Sequence, residues 1–338
     1  MPTTKTTTMR AIVQDGYGSP ARVLRPEHIA RPPVGPLDVL VRVRATSVNT
    51  PDWITVTGVP YVLRLKSGLR RPSHPVRGSD VAGVVEAVGR DVVDLASGDE
   101  VFGSVWDGTI GARAGTFAEY TVLPASQLVR KPAGLSFEEA AASVMTGLTA
   151  LTAIRDVGTV GPGTRVLVNG SSGGVGTMAV QIAASLGADV SAVCSSRNVE
   201  LVRSLGAHHV IDYAKEDYTD GRLRHDVILD NVMNRSPWAT ARALAPGGVL
   251  IPNSIGNSGG LLAGLPRIAS ASVLGLGPTT VKTVQLQVNR GNLTALSELL
   301  ESGVVRVVID RTYPLERAGE AVEHVLAHHA RGKVAITV

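Results

Sequence analysis

The stretch from Arg165 to Gly187 limits the fold more than any other part of this chain. A mostly apolar strand at 165–169 runs into the turn Gly170, Ser171, Ser172, Gly173, Gly174, Val175, Gly176, and a helical run over 174–186 follows at once. Strand, glycine turn and helix in immediate succession form the first half of a βαβ unit. The turn lets bare backbone N–H groups approach an anion at the helix N-terminus. A second apolar strand is expected over 189–194, and it ends in Ser195, Ser196 and Arg197 rather than in an acid.

These residues predict a dinucleotide site. The turn departs from G-x-G-x-x-G, because Ser171 stands at the first glycine position. Gly173 would allow close approach of a pyrophosphate, with Ser172, Gly174 and Val175 beside it, and Gly176 would let the helix pack tightly on the strand. An acid at the end of the second strand would hold a ribose 2′-hydroxyl and repel a 2′-phosphate. Arg197 offers a bidentate partner for that phosphate and Ser195 a further donor, so the expected cofactor is NADPH. The alternative is a surface Arg197 on a protein that uses both nicotinamide cofactors.

Strand patterns at 9–15, 37–46, 81–88 and 115–122, with a turn into a short strand at 98–103, make the N-terminal part a partly closed barrel. Val41, Val43 and Ala45 there alternate with Arg42, Arg44 and Thr46. Beyond Pro132 the pattern changes. Ser136 can cap a helix with Glu138 and Glu139 in its first turn, and strands then alternate with helices to residue 252. That alternation implies a doubly wound parallel sheet. The last strand, 333–338, is expected to pair back into the first domain. The expected division is 1–129 with 271–338 for the barrel, and 130–270 for an inserted dinucleotide-binding domain.

The formal charge of +4 over 338 residues is too small and dispersed for nucleic-acid binding. One local run, 64–77, carries Arg64, Lys66, Arg70, Arg71 and Arg77 without an acid. It is either a solvated loop or a basic rim that attracts an anionic substrate. Cys194 is the sole cysteine, so no intrachain disulfide forms. No signal peptide and no membrane span are expected, and the expected location is cytoplasmic.

Six motifs in this order resemble the medium-chain dehydrogenase/reductase superfamily, in its zinc-free quinone oxidoreductase-like branch. They are Ser-Val-Asn-Thr-Pro-Asp at 47–52, Gly-Ser-Asp-Val-Ala-Gly at 78–83, Gly-Asp-Glu-Val-Phe-Gly at 98–103, Gly-Leu-Thr-Ala-Leu at 147–151, the loop at 170–176, and Gly-Lys-Val at 332–334. The resemblance implies an α/β protein: a GroES-like barrel plus a Rossmann domain, an active site where they meet, and commonly a homodimer. Zinc-dependent members carry Cys where this chain has Ser47 or its neighbours, and His-Glu where it has Ser79 and Asp80. Neither a catalytic nor a structural zinc is therefore expected.

By the same resemblance, Asn49 and Asp52 face the nicotinamide region, and Asn49 would bond a substrate carbonyl or a cofactor ribose. Thr146 and Gly147 lie near the nicotinamide, Tyr213 near the adenosine phosphate, and Asn231, Asn253 and Ile255 beyond strand ends. Lys333 would reach the cofactor or a substrate anion, or form a salt bridge at the domain seam. The implied chemistry is hydride transfer from NADPH to the β-carbon of a conjugated carbonyl: a quinone, an enone or a polyenone. Tyr61 and Asp52 are candidate proton donors because they border the expected cleft. The excursions at 106–113 and 256–264 suggest a large apolar pocket, in which reduction followed by Michael closure would make a reductive cyclase. Other readings are a zinc-free alcohol dehydrogenase or ketone reductase, and a non-catalytic NADPH-binding structural protein.

Overall fold

The computed structural model describes residues 8–108, 115–254 and 264–338. Ile255 and most of the two excursions therefore lie outside the described residues. The chain falls into two compact units, one holding residues up to 145 with 287–301 and 309–338, the other 146–286 with 302–308.

The first unit contributes β1 (Thr8–Gln14), β2 (Leu24–Ala30), β3 (Asp38–Ser47), β4 (Asp80–Val88), β5 (Glu100–Ser104), β6 (Tyr120–Pro124) and β7 (Leu128–Arg130). β3 is the hub, pairing antiparallel with β4 and β6. Its inward Val39, Val41 and Val43 meet Val81, Val85, Val101, Leu123 and Leu128 in one core. Each such side chain contributes about 1.5–3 kcal/mol on burial. Register shifts between Leu40/Val41 and Val43/Ala45 bend the β3–β4 pair.

The strand expected at 115–122 begins only at Tyr120. A Cβ on Gly115 would fall 2.4 Å from the Val76 carbonyl oxygen, and the Phe117 N–H donates to the Arg77 carbonyl at 2.8 Å. Residues 115–119 thus pack against 76–78 instead of entering a regular ladder; only an isolated Ala11–Ala118 bridge forms.

The helix Phe137–Leu151 starts where Ser136 places it. The Glu139 N–H donates to Ser136 Oγ at 3.1 Å, and the Ser136 N–H donates to Glu139 Oε2 at 2.9 Å. That reciprocal capping box satisfies two helix-end donors.

The second unit holds β8 (Arg165–Asn169), β9 (Asp189–Cys194), β10 (His209–Asp212), β11 (His225–Asp230), β12 (Leu244–Pro252) and β13 (Thr280–Val281). All pairings are parallel, in the order β10-β9-β8-β11-β12-β13. This is the 3-2-1-4-5-6 order of a doubly wound dinucleotide sheet, with its switch point between β8 and β11.

The chain then returns to the first unit through β14 (Ile309–Pro314) and β15 (Lys333–Thr337). β15 pairs antiparallel with β3, with Ala335 opposite Ser47, as expected of the closing strand. This pairing carries Lys333 to the end of β3. Among the described residues no helix is long and apolar enough to cross a membrane.

Candidate active site and cofactor cradle

In the second unit the glycine turn is built differently from its motif. The left-handed residue is Gly170, with φ of +76°, one position before Ser171, which stands at the motif's first glycine position. Ser171 is buried, and its N–H and hydroxyl both donate to the Val193 carbonyl, at 3.1 and 2.9 Å, tying the turn to β9. Gly176 has the expected packing role: a Cβ there would sit 2.2 Å from the Gly170 oxygen and 2.6 Å from Ser171 Cα.

The helix Gly174–Ser185 begins at Gly173 with no side chain capping it, and the Thr177 N–H makes the first helical bond to the Gly173 carbonyl at 2.9 Å. The first-turn N–H groups at 174, 175 and 176 have no intrahelical acceptor and lie at the positive end of the helix dipole. A cradle of glycines ending in uncapped donors fits a pyrophosphate.

The remaining cofactor candidates of this unit follow neighbouring parallel strands and share one sheet edge. Ser172 follows β8, Ser195 and Arg197 follow β9, Tyr213 follows β10, Asn231 follows β11 and Asn253 follows β12. Asn198, which no motif singles out, joins two of them: its side-chain amide donates to Ser172 Oγ at 2.9 Å and to Ser195 Oγ at 3.3 Å. Arg197 is exposed, and the Tyr213 side chain is exposed as well. The nearest acid at this edge, Asp212, accepts from Ser196 Oγ at 2.6 Å and pairs with Lys215 at 3.3 Å. The Ser196 hydroxyl, more than any other neighbour, holds its carboxyl below the usual range.

Further along the edge, Asn253 Nδ2 donates to Asn231 Oδ1 at 2.8 Å, and Asn231 Nδ2 to the Asn169 carbonyl at 3.2 Å. Buried Asp230 accepts through Oδ1 from the Val232 and Met233 N–H groups and from Asn169 Nδ2. It thereby supports Met233 at φ of +54°. Thr146 and Gly147 lie on the helix Phe137–Leu151, with Thr146 buried.

The first unit holds a different kind of site, a buried knot of charge at the ends of β3, β4 and β15. Asn49 caps the helix Thr50–Thr57, and its N–H donates to Asp52 Oδ2 at 2.7 Å. Ser79 Oγ donates to Asp52 Oδ1 at 3.1 Å. Ser47 Oγ and Asn49 Nδ2 both donate to Asp80 Oδ2 at 2.8 Å. The Lys333 ammonium donates to the Val48 carbonyl at 2.8 Å and to Asn49 Oδ1 at 2.5 Å.

Burial pushes the Asp52 carboxyl up to about 7, with Asp80 adding repulsion and Lys333 opposing the rise. Burial likewise raises Asp80 and lowers Lys333, while the charge of each favours ionisation of the other. Asp52 therefore exchanges a proton near neutral pH.

Three of the candidate residues have partners within the first unit. Asn49 was expected to reach substrate or ribose, but its oxygen is held by Lys333 and its amide nitrogen serves Asp80. Lys333, expected on the cofactor, on a substrate anion or in a salt bridge, donates to Val48 and Asn49 and lies near the charges of Asp80 and Asp52. Tyr61 makes no described bond to the knot; it is 45% exposed and stacks with Arg64, whose guanidinium carbon lies 4.3 Å from its ring centre. Sequence reading missed Ser47, Ser79 and Asp80 as members of one network, because Ser47 lies more than thirty residues before the other two.

The chemistry of the knot also bears on metals. The positions where zinc-dependent members carry Cys and His-Glu hold hydroxyls, an amide and an aspartate, and the cation among them is the Lys333 ammonium. Neutral hydroxyls and an amide are poor zinc ligands. Among the described residues no group of three or more His, Cys, Asp or Glu side chains is placed to hold a metal.

Comparison with known proteins agrees with both halves. The family described as alcohol dehydrogenase GroES-like domain matches residues 35–133, and that described as zinc-binding dehydrogenase matches 205–336. The chain is 31% identical to the chloroplastic quinone-oxidoreductase QR1 of Triphysaria versicolor, over 97% of this chain and 98% of that one. It is 32% identical to the trans-enoyl reductase pgmF of Aspergillus terreus, over 90% of this chain and 87% of that one. The Escherichia coli quinone oxidoreductase complexed with NADPH superposes with a TM-score of 0.80 at 25% identity, covering 97% of this chain and all of that one. With its barrel, its dinucleotide sheet and an ammonium-centred knot in place of zinc ligands, this chain belongs to the medium-chain dehydrogenase/reductase superfamily, in the zinc-independent quinone-oxidoreductase-like branch.

Proposed function

We propose that this protein is an NADPH-dependent reductase whose acceptor is a conjugated carbonyl, a quinone or an enone. The observation that carries the reading is the Lys333–Asn49–Asp80 arrangement: an ammonium-centred hydrogen-bond network occupies the sequence positions, 47 and 79–80, at which the zinc-dependent members are expected to carry their ligands. An isolated ketone needs a Lewis acid to accept hydride readily. A quinone or enone is already activated by conjugation, and the relatives named for quinone and enoyl reduction support that class.

NADPH, when bound, supplies the hydride. The N–H groups at 174–176, with Ser172, Gly173, Gly174 and Val175, would hold its pyrophosphate. Ser195, Arg197 and Tyr213 would take the 2′-phosphate end, and Thr146, Gly147, Asn231 and Asn253 the nicotinamide end. Asp52, shared between the Asn49 N–H and the Ser79 hydroxyl, is the group that holds a proton at neutral pH. The knot's role is to store that proton without water.

The proposed location is the cytoplasm, and the proposed assembly is a homodimer. The short edge strand β13 leaves one side of the dinucleotide sheet open, and exposed Val273 and Leu276 lie close to it in sequence. Light scattering at two protein concentrations tests the dimer.

The test of the reaction is turnover with NADPH carrying deuterium at C4, against quinones, cyclic enones and an isolated ketone. Mass spectrometry should find the label on the β-carbon of the enone. Label on a carbinol carbon with the alkene intact would instead make the protein a ketone reductase, and a cyclised product would make it a reductive cyclase.

A further inference from the structure

Four serines follow β8 and β9, and their hydroxyls are not used alike. Ser171 and Ser196 spend their protons inside the protein, on the Val193 carbonyl at 2.9 Å and on Asp212 Oδ2 at 2.6 Å. Ser172 and Ser195 instead accept, at 2.9 and 3.3 Å, from the amide nitrogen of Asn198. Asn198 is 3% exposed, and its own N–H donates to the Ser195 carbonyl at 2.9 Å, so the amide is fixed to the turn whose hydroxyl it serves. Ser172 and Ser195 are only half-buried, and Ser196 and Arg197 beside them are exposed, so a ligand can reach this edge.

A hydroxyl has one proton and two lone pairs. The amide takes a lone pair on each serine oxygen, so each hydroxyl proton is turned away from Asn198. Neither proton has an acceptor among the described residues. The orientation of the amide follows from what surrounds it. Asn198 Oδ1 is fully buried without a hydrogen-bond partner. Turned over, the amide would draw both hydroxyl protons inward and bury two unpaired N–H donors in place of one unpaired oxygen, which is the costlier choice. Two outward hydroxyl protons without acceptors, beside the uncapped helix start at Gly173, are donors that an anion completes.

We propose that Asn198 is a positioning residue for NADPH: it holds the Ser172 hydroxyl as a donor to the pyrophosphate and the Ser195 hydroxyl as a donor to the 2′-phosphate. The inference rests on the NADPH-dependent reductase reading and adds a second source of cofactor preference. Arg197 attracts the 2′-phosphate by charge; Asn198 acts without charge and without touching the cofactor.

Calorimetric titration of the full chain with NADP⁺ and NAD⁺, which differ only in the 2′-phosphate, separates the two hydroxyls. Asn198→Ala should weaken NADP⁺ about tenfold and NAD⁺ about threefold, since NAD⁺ uses only the Ser172 donor. Ser195→Ala should weaken NADP⁺ about fivefold and leave NAD⁺ within about twofold. In the Ser195→Ala background, Asn198→Ala should cost about threefold for both nucleotides, because the second hydroxyl is no longer there to orient. An equal loss for both nucleotides in the single Asn198 variant overturns the proposal, and so does a tenfold NADP⁺ loss that persists without the Ser195 hydroxyl. Unchanged NADP⁺ affinity in Ser195→Ala overturns it as well, whether or not the Asn198 variant folds. A wild-type chain that binds neither nucleotide removes the reductase reading together with the inference, whereas binding with additive losses removes the inference alone.

Discussion

The two polar regions of this protein are built on opposite principles. The centre of the dinucleotide edge, 170–176, is contiguous in sequence and left incomplete: a glycine turn and an uncapped helix start present backbone donors that the helix does not use. The knot around Asp52, Asp80 and Lys333 is assembled from three segments, 47–52, 79–80 and Lys333, and most of its polar side-chain atoms are spent inside the protein. An open set of donors can bind a large anion without rearrangement. A closed set cannot bind anything new without breaking itself, so it acts by fixing geometry and holding a proton.

The largest effect should come from Gly176→Ala. Its Cβ would press on the backbone of residues 170 and 171, so the turn must open. NADPH affinity should fall by about a hundredfold or more, equivalent to about 2.7 kcal/mol, in a fluorescence titration. Near-normal affinity would show that the cradle is not the binding edge. Next, Lys333→Met strands Asp80 and Asn49 in a dry pocket. Unfolding in urea should show a loss of about 3 kcal/mol, partly restored by adding Asp80→Asn. No loss would mean that the knot is not held by its ammonium.

Arg197→Ala should weaken NADPH by about tenfold and NADH by less than about twofold, because only NADPH carries the 2′-phosphate. Equal losses would remove Arg197 from the cofactor site.

The smallest effect concerns Asp52. Its folded carboxyl titrates at about 7, above its ordinary value of 3.8. The folded state therefore binds the proton more tightly than the unfolded chain. The contribution is most favourable at low pH and is lost as pH rises from the ordinary value through about 7. Stability of the wild type should fall by about 1 kcal/mol or more between about pH 5 and pH 8 relative to Asp52→Asn. Parallel profiles would place the Asp52 proton elsewhere.

How legible each region was follows from these principles. The strand–turn–helix at 165–185 and the strand at 189–194 could be read almost to the residue, since a local motif declares itself within twenty residues. The motif departure at Ser171 had no reading from the sequence: Gly170 takes the left-handed conformation, and only β9 shows what the serine hydroxyl holds. In the barrel, the alternation of β3 gave Val41, Val43 and Ala45 as buried and Arg42 and Arg44 as exposed, but Thr46, set with the arginines, is buried and donates to the Asp80 carbonyl. The strand expected at 115–122 started late because Gly115 packs against the main chain of 76 and 77, a contact with no local signature. β2 and β7 were missed because β2 is largely exposed and β7 has only three residues.

The linear chain thus determined the fold class, the dinucleotide edge and the lack of zinc ligands, since glycine spacing, hydrophobic period and side-chain chemistry are properties of adjacent residues. Tertiary structure alone decided that Lys333 bonds Asn49, that Asp52 shares its proton near neutrality, and that buried Asn198 donates to both Ser172 and Ser195. Those facts depend on which distant groups share a dry pocket, and the energy of a charge is set by that surrounding rather than by its place along the chain.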